Sequence, residues 1–509
     1  MHSDRINADE AEVVSSLEPT DNGSVSAKEQ GSRWNAAWRV LFRFSLLYFV
    51  LYALPFPFMQ LLLDLRSAGA MLHDWFGWAQ PSWTATAFSW LGEYNAFWKE
   101  VTTWLSTHDW VGIEVIHQPT GAGDTAHAYV KLLVSSVLAL ALTGVWSWLA
   151  KRGTSYASLG RWLHLGVRWY LFFSILGYGL IKIYASQFGY PSPSALLRPL
   201  GDNSPMGLVW NFMGFSKPYE VISGLGEAVG ATLLLWHRTA LLGCFVLIPV
   251  MGNVVLLNFL YGVPVKLYSG HLLLFTVALL VPFVPRLIAL FVTNRSLPPP
   301  VDLRVVRNRW VGGCLIAFGC LWISIHLWNA HEGYMAVRER RVRTEPELYG
   351  VWDVERMVRD GKHVGVSDVS RWKHFVVEHD SRAWFETMLG KRSNLDFSYD
   401  LERGECTVAL MSRKANSEPP SASKTDSAEQ KPGNADASKT PWSLERLRET
   451  RKAQDRYAKT MQDRVKFTDQ PRDVLVLRGT WDEQPLELTL VRKVFNLERE
   501  FRWIQELPR

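Results

Sequence analysis

What most constrains this chain is a succession of apolar runs, each 18 residues or longer, between about residues 38 and 330. Hydrocarbon holds no water to satisfy backbone N–H and C=O groups, so a run of that length resolves into a helix bonding its own backbone. About seven such runs are legible, at roughly 38–62, 129–150, 162–187, 218–236, 239–261, 267–292 and 310–330. The near-zero mean hydropathy of the 509-residue chain averages this apolar half with polar ends. The expected fold is an α-helical polytopic membrane bundle of about seven spans, followed by a small antiparallel β soluble domain.

The first 33 residues, with Asp4, Glu10, Glu12, Glu18 and Asp21 among Ser, Asn and Gly, have nothing to bury and read as a disordered tail. The membrane domain is expected over 34–330. Within it, residues 64–128 are too polar to cross but hold Trp75, Trp78, Trp83, Trp90, Trp98, Trp104 and Trp110. Tryptophan prefers the headgroup zone, so this stretch forms either short helices lying on the outer leaflet or a folded cap over the bundle. Basic residues in the connections orient the spans. Arg33, Arg39, Arg43, Lys151, Arg152, Arg161, Arg238, Arg295, Arg304, Arg307 and Arg309 fall on one set of loops, which makes the N-terminus cytoplasmic and the C-terminal domain external. Arg338, Arg340, Arg341 and Arg343 dissent.

From about 346 the hydrophobic period changes from helix to strand. In "PLELTLVRK" the residues Leu486, Leu488 and Leu490 alternate with Glu487 and Thr489. The segments 473–481, 395–402 and 372–380 read the same way, and "VRDGKHV" supplies an Asp-Gly hairpin turn. A flexible insertion spans 412–441, and "WSLERLRETRKAQDRYAKTMQDRV" reads as a charged amphipathic helix. The β-rich domain is thus 346–509.

The motif that asks most of the bilayer is "ISGLGEAVGATLLLW", 222–236, with one carboxylate, Glu227, among glycines. Ser223, Gly226, Glu227 and Gly230 share a helical face, so the carboxylate points into the bundle, as a proton-handling group or as a structural lock. Lys182, in "ILGYGLIKIYASQF", either snorkels to the headgroups or turns inward to pair with Glu227. "MGNVVLLNFLYGVPVKLYSGHLLL" adds Asn253, expected to bond across helices, and Asn258, Lys266, Tyr268 and His271, which with His326 lie toward the outer leaflet and form either an outward-opening polar pocket or a set of unrelated interhelical hydrogen bonds. Lys182, Glu227 and His271 are its candidate catalytic groups, and Asn253, Asn258, Lys266 and Tyr268 its substrate contacts. The G-x-G-D letters of "TGAGDTAHAY" occur outside a span, so Asp124 or Thr125 is read as a helix cap. No metal site is expected, and Cys244, Cys314, Cys320 and Cys406 form no C-x-x-C pair.

Across "GYGLIK", "GDNSPMGLVWNFMG", "ISGLGEAVGATLLLWHRT", "MGNVVLLNFLYGVPVKLYSGHLLL" and "LYGVWDVE", the chain resembles a larger bacterial member of the DoxX-like membrane proteins. It is distantly similar to the membrane domain of vitamin-K-dependent carboxylases. The likeness implies a bacterial inner-membrane protein within a thiol, sulfur or quinone-linked redox system, with Asp202 joining the substrate contacts. "GLIK" resembles a carboxylase element whose lysine is a base, which would be Lys182. "YGVW" is similar to the G-x-W start of lipocalin-like barrels.

Three functions are therefore open: a membrane redox component with a quinone in its apolar slot, an acid–base enzyme using Lys182, and a non-enzymatic scaffold whose β-domain binds a lipid or a protein. The expected partners are the lipid bilayer and a redox protein, and no nucleic acid.

Overall fold

The computed structural model describes residues 35–56, 66, 83–108, 115, 122–151, 154–305, 308–344, 347–378, 382–400, 403, 405–410, 442–448, 473–493 and 495. The expected tail 1–33, the insertion 412–441 and Trp75, Trp78 and Trp110 lie outside them. The chain divides into two compact units, Met1–Ala185 with Pro218–His331, and Ser186–Lys217 with Glu332–Arg509.

The first unit is helical. Its elements are α1 (Ala36–Ala53), α2 (Trp83–Ser106), α3 (Ala126–Leu149), α4 (Ala157–Ile183), α7 (Lys217–Leu234), α8 (Ala240–Leu260), α9 (Lys266–Ala278), α10 (Val284–Phe291) and the start of α11 (Arg309–Thr344). Among the described residues five stretches are long and apolar enough to cross a membrane: Ala36–Ala53, Ala126–Leu149, Ala240–Leu260, Lys266–Phe291 and Arg309–Glu339. The fourth is broken between α9 and α10 by a 3-10 turn, Val281–Phe283, where Pro282 and Pro285 each remove a backbone donor.

Helix α4 is central. Twelve of its 27 residues are buried, among them Leu171, Phe172, Ile175 and Leu176. They pack with Phe49 of α1, Ala231 and Leu234 of α7, Leu247 of α8, Phe275 of α9 and Trp322 of α11. Its buried polar residues His164, Arg168 and Lys182 thus face protein. Residues on the outer helix faces, such as Leu133, Val137 and Leu140 of α3 and Leu256 and Phe259 of α8, are exposed and apolar, as a lipid-facing surface requires.

Part of the Trp-rich stretch forms one 24-residue helix, α2. Its buried residues Leu91, Trp98 and Thr102 lie on one side, and the Thr102 hydroxyl sits 2.8 Å from Nδ1 of His127 on α3.

In the second unit, α5 (Pro193–Leu197) and α6 (Pro205–Phe215) each start on a Ser-Pro pair. Ser192 and Ser204 accept from the backbone N–H three residues on, and the proline occupies the first helical position, where no donor is needed. The strands are β1 (Gly350–Arg359), β2 (Lys362–His363), β3 (Trp372–Val377), β4 (Arg382–Thr387), β5 (Arg392–Asp400), β6 (Glu405–Leu410), β7 (Trp442–Arg448), β8 (Asp473–Trp481) and β9 (Gln484–Arg492). They form one antiparallel sheet in the order β2-β1-β3-β4-β5-β6-β7-β8-β9, and β1 also pairs with β9, so the ring of pairings closes.

Asp360 and Gly361 both adopt positive φ, 52° and 72°, and make the expected hairpin turn between β1 and β2. Trp442–Arg448 is a correction to the sequence reading. It is a strand, in register with Asp473–Arg478, and not the start of a helix. Leu444 and Leu447 stand three apart, which suits a helix, but β8 offers a free edge that the backbone satisfies instead.

The inner face is filled by Trp352, Met357, Trp372, Phe375, Phe397, Leu475, Leu477, Leu488 and Leu490. A ring of this strand number holds side chains rather than a wide lumen. On the outer face, Val351, Val376 and Trp384 pack with Leu197 of α5 and Phe495. There Trp384 Nε1 donates to Ser194 Oγ at 3.0 Å, and Ser194 Oγ donates to Glu378.

Candidate functional site

Helices α4 and α7 meet at two glycines. A Cβ on Gly224 would lie 2.6 Å from the Gly179 carbonyl oxygen and 2.6 Å from Lys182 Cβ, and one on Gly179 would lie 2.8 Å from the Ala228 nitrogen. Only glycine permits this approach. It sets Lys182, one residue from the end of α4, against Glu227, and Lys182 Nζ donates to Glu227 Oε1. Both side chains are buried, at 7% and 2% exposure. Lys182 therefore turns inward rather than snorkelling. Glu227 Oε2 has no partner among the described residues, so one lone-pair face of the carboxylate stays available.

The expected small-residue face is shared between two neighbours. Gly224 meets α4, while Gly226 and Gly230 face Val250 and Leu247 of α8. At the other end of the same helix pair, buried Arg168 of α4 donates from Nε and Nη2 to the carbonyls of Leu234 and Leu235. Those carbonyls end α7, where a cation complements the helix dipole.

A track of tyrosine rings starts beside the ion pair. Tyr178 and Tyr268 have ring centroids 6.0 Å apart, and Tyr178 is close enough to Glu227 to feel its charge. Tyr52 and Tyr170 lie edge to face with ring centroids 6.5 Å apart. Tyr52 stacks on His271 with centroids 4.1 Å apart. His271 Nδ1 lies 2.6 Å from the Leu267 carbonyl and must carry the proton there. Nε2 then accepts from the Tyr48 hydroxyl at 2.6 Å. Aromatic rings of Tyr178, Tyr268, Tyr170 and Tyr52 thus lie between the ion pair and the hydrogen-bonded Tyr48–His271 pair, on α4, α9 and α1.

The remaining candidates separate from this track. Asn258 is buried and donates from Nδ2 to Ser269 Oγ at 2.9 Å, joining α8 to α9. Lys266 belongs to a clamp: Asp124 accepts from the Lys266 and Leu267 backbone N–H groups at 2.8 and 3.0 Å, while Gly123 and Asp124 donate to the Pro264 carbonyl. Asp124 thus caps α9, and Thr125 caps its own helix, α3. His326 lies against Trp322 of its own helix.

Two expectations are corrected. Asn253 is exposed on α8, because five residues of helix turn it about 140° from Asn258. Asp202 is exposed in a 3-10 turn that belongs to the second unit.

Sequence reasoning missed Tyr48, Tyr52, Tyr170 and Tyr178. A signal was present, since Tyr170, Ser174, Tyr178 and Lys182 recur every four residues, as Tyr48 and Tyr52 do. Among the described residues no group of three His, Cys, Asp or Glu could hold a metal. All four cysteines are free. Burial pushes the Cys406 thiol up to about 12.

The second unit holds a smaller polar cluster. Asp353 Oδ1 lies 2.6 Å from His374 Nδ1 and 3.4 Å from Lys493 Nζ. Burial alone would raise the Asp353 carboxyl, but hydrogen bonding from His374 and the charge of Lys493 outweigh it and hold the group below its ordinary value.

The chain is 32% identical over 142 residues to the uncharacterized protein YwoB of Bacillus subtilis, a match covering 28% of this chain and 87% of that protein. No family model matches the chain. No solved structure matches it.

Proposed function

The chain belongs to the same family as the uncharacterized protein YwoB of Bacillus subtilis, and we propose, from the likeness of its own segments to DoxX-like proteins, a bacterial inner-membrane protein that serves a quinone-linked redox system. The observation that carries this reading is the buried Lys182–Glu227 pair, its Glu227 Oε2 unpaired among the described residues, beside the tyrosine–histidine cluster. Reduction of a quinone consumes protons, and a buried carboxylate beside an ammonium and phenols is a group that can take up a proton from water and pass it on where water is scarce. A quinone head would sit against the Tyr178 and Tyr268 rings. The two DoxX-like segments "GYGLIK" and "ISGLGEAVG" supply the two halves of the ion pair. The free, unpaired cysteines favour the quinone arm over a thiol relay.

In this reading α4 and α7 join the five apolar stretches as spans, making seven. The loop from Ser186 to Lys217 belongs to the same compact unit as the C-terminal domain, which favours one external side for both. Helix α11, at 36 residues and about 54 Å, outruns a hydrocarbon core of about 30 Å, so its terminal arginines ride beyond the membrane.

Full-length protein in proteoliposomes, given a short-chain quinone with thiosulfate or a dithiol as donor, should reduce the quinone. Glu227→Gln should slow this by about 100-fold, the scale of one lost acid–base group. Absence of turnover with every donor rules the reading out. A scaffold role is the second reading, favoured by the side-chain-filled β-domain core and by α5 seated on its outer face.

A further inference from the structure

We propose that Arg43 is the core of a binding site for a phosphate-bearing anion, at the end of the bundle where α1 begins, α3 ends and α4 begins. Arg43 is 5% exposed, yet no carboxylate among the described residues pairs with it. Its Nε donates to the Tyr156 hydroxyl at 2.9 Å and its Nη1 to Ser147 Oγ at 2.8 Å, and the guanidinium lies 5.2 Å from the Tyr156 ring centroid and 6.0 Å from that of Trp146. These neutral partners orient the fork without cancelling its charge. Nη2 is left without a partner among the described residues, and it is not among the atoms sealed from the surface.

A buried cation with no counterion is costly unless an anion comes to it. The three helices that form this end supply none. No Asp or Glu occurs from Asn35 to Gln60 or from Ala126 to Gly201, whereas Arg39 and Arg161 lie near the starts of α1 and α4 and Lys151 just past the end of α3. A second observation sets the depth of the site. Trp38, Trp148 and Trp162, at the same three helix ends, are 50%, 84% and 56% exposed, as in an aromatic belt at the headgroup level. A planar guanidinium held by two of its nitrogens and offering the third suits a phosphate oxygen. The phosphodiester of an anionic phospholipid and free inorganic phosphate share that chemistry.

The test is a thermal-melting titration of the purified full-length protein in a zwitterionic detergent, at fixed ionic strength. The probes are short-chain phosphatidylglycerol, short-chain phosphatidylcholine and inorganic phosphate. A saturable rise in Tm with phosphatidylglycerol alone assigns the site to a lipid headgroup, and an equal rise with inorganic phosphate assigns it to the free anion. Arg43→Gln should abolish the rise. Should that variant fail to fold, Arg43→Lys decides, with an expected loss of affinity of about tenfold as the fork becomes a point charge. The proposal is overturned by no rise with either anion in the wild-type protein, by a rise of equal size with phosphatidylcholine, or by an unchanged response in the variant that folds.

Discussion

Removing one partner of the Lys182–Glu227 pair tests the architecture of the first unit. Both side chains are almost wholly buried, and the pair bridges α4 and α7 where Gly179 and Gly224 bring their backbones together. Glu227→Gln would leave the ammonium of Lys182 uncompensated, and stranding a buried charge costs about 3–5 kcal/mol. Lys182→Met is milder, because an orphaned carboxylate can neutralise itself by taking up a proton. The double variant Lys182→Met/Glu227→Gln removes both charges at similar volume and should lie within about 1 kcal/mol of the wild type. The cycle therefore predicts a coupling of at least about 3 kcal/mol, well above the scatter of independent sites. Unfolding of the full-length protein in mixed micelles, titrated with a denaturing detergent and followed by tryptophan fluorescence, measures it. Single-variant losses below about 1 kcal/mol that simply add in the double would refute the buried pairing.

Gly224→Ala forces a methyl to within 2.6 Å of the Gly179 oxygen and should destabilise the first unit by about 1–3 kcal/mol in the same assay, with Gly252→Ala, which meets nothing within 4 Å, as the neutral control. Asp124→Ala removes the acceptor for two N–H groups at the start of α9, an expected loss of about 0.5–2 kcal/mol, while Asp124→Asn retains most of the cap. Because the folded Asp353 carboxyl lies below its ordinary value of 3.8, its stabilising contribution is complete above that pH and fades as pH falls through the depressed folded value. Melting of the wild type and of Asp353→Asn should converge under acid and separate slightly near neutrality, since the side chain is 43% exposed.

Much of the second unit is legible in the sequence because period-two alternation survives any context. "DVLVLRGTW" coincides with β8, and "PLELTLVR" fills β9 with Leu486, Leu488 and Leu490 turned inward. The strand Trp442–Arg448 is not legible, because its two leucines fit a helix and only its pairing with β8 decides otherwise. In the first unit Glu227 and Lys182 stand out because ionised groups in apolar runs demand an explanation, and each proves to be the other's. The phenols that lie between them and His271 do not stand out. Tyrosine is unremarked in a membrane helix, and whether its ring meets another depends on which helix lies opposite. Asn253 misled for the opposite reason, since an amide in a span suggests a partner while helical rotation puts this one on an outer face.

The central claim is that Glu227 and the phenols beside it exchange protons when a quinone is reduced. Infrared difference spectra of the full-length protein, recorded between the oxidised and reduced forms of an added short-chain quinone, test it most directly. A carboxyl C=O band that vanishes in Glu227→Gln and shifts in Tyr268→Phe is the predicted result. A spectrum with no carboxyl change, or one indifferent to both substitutions, would contradict it.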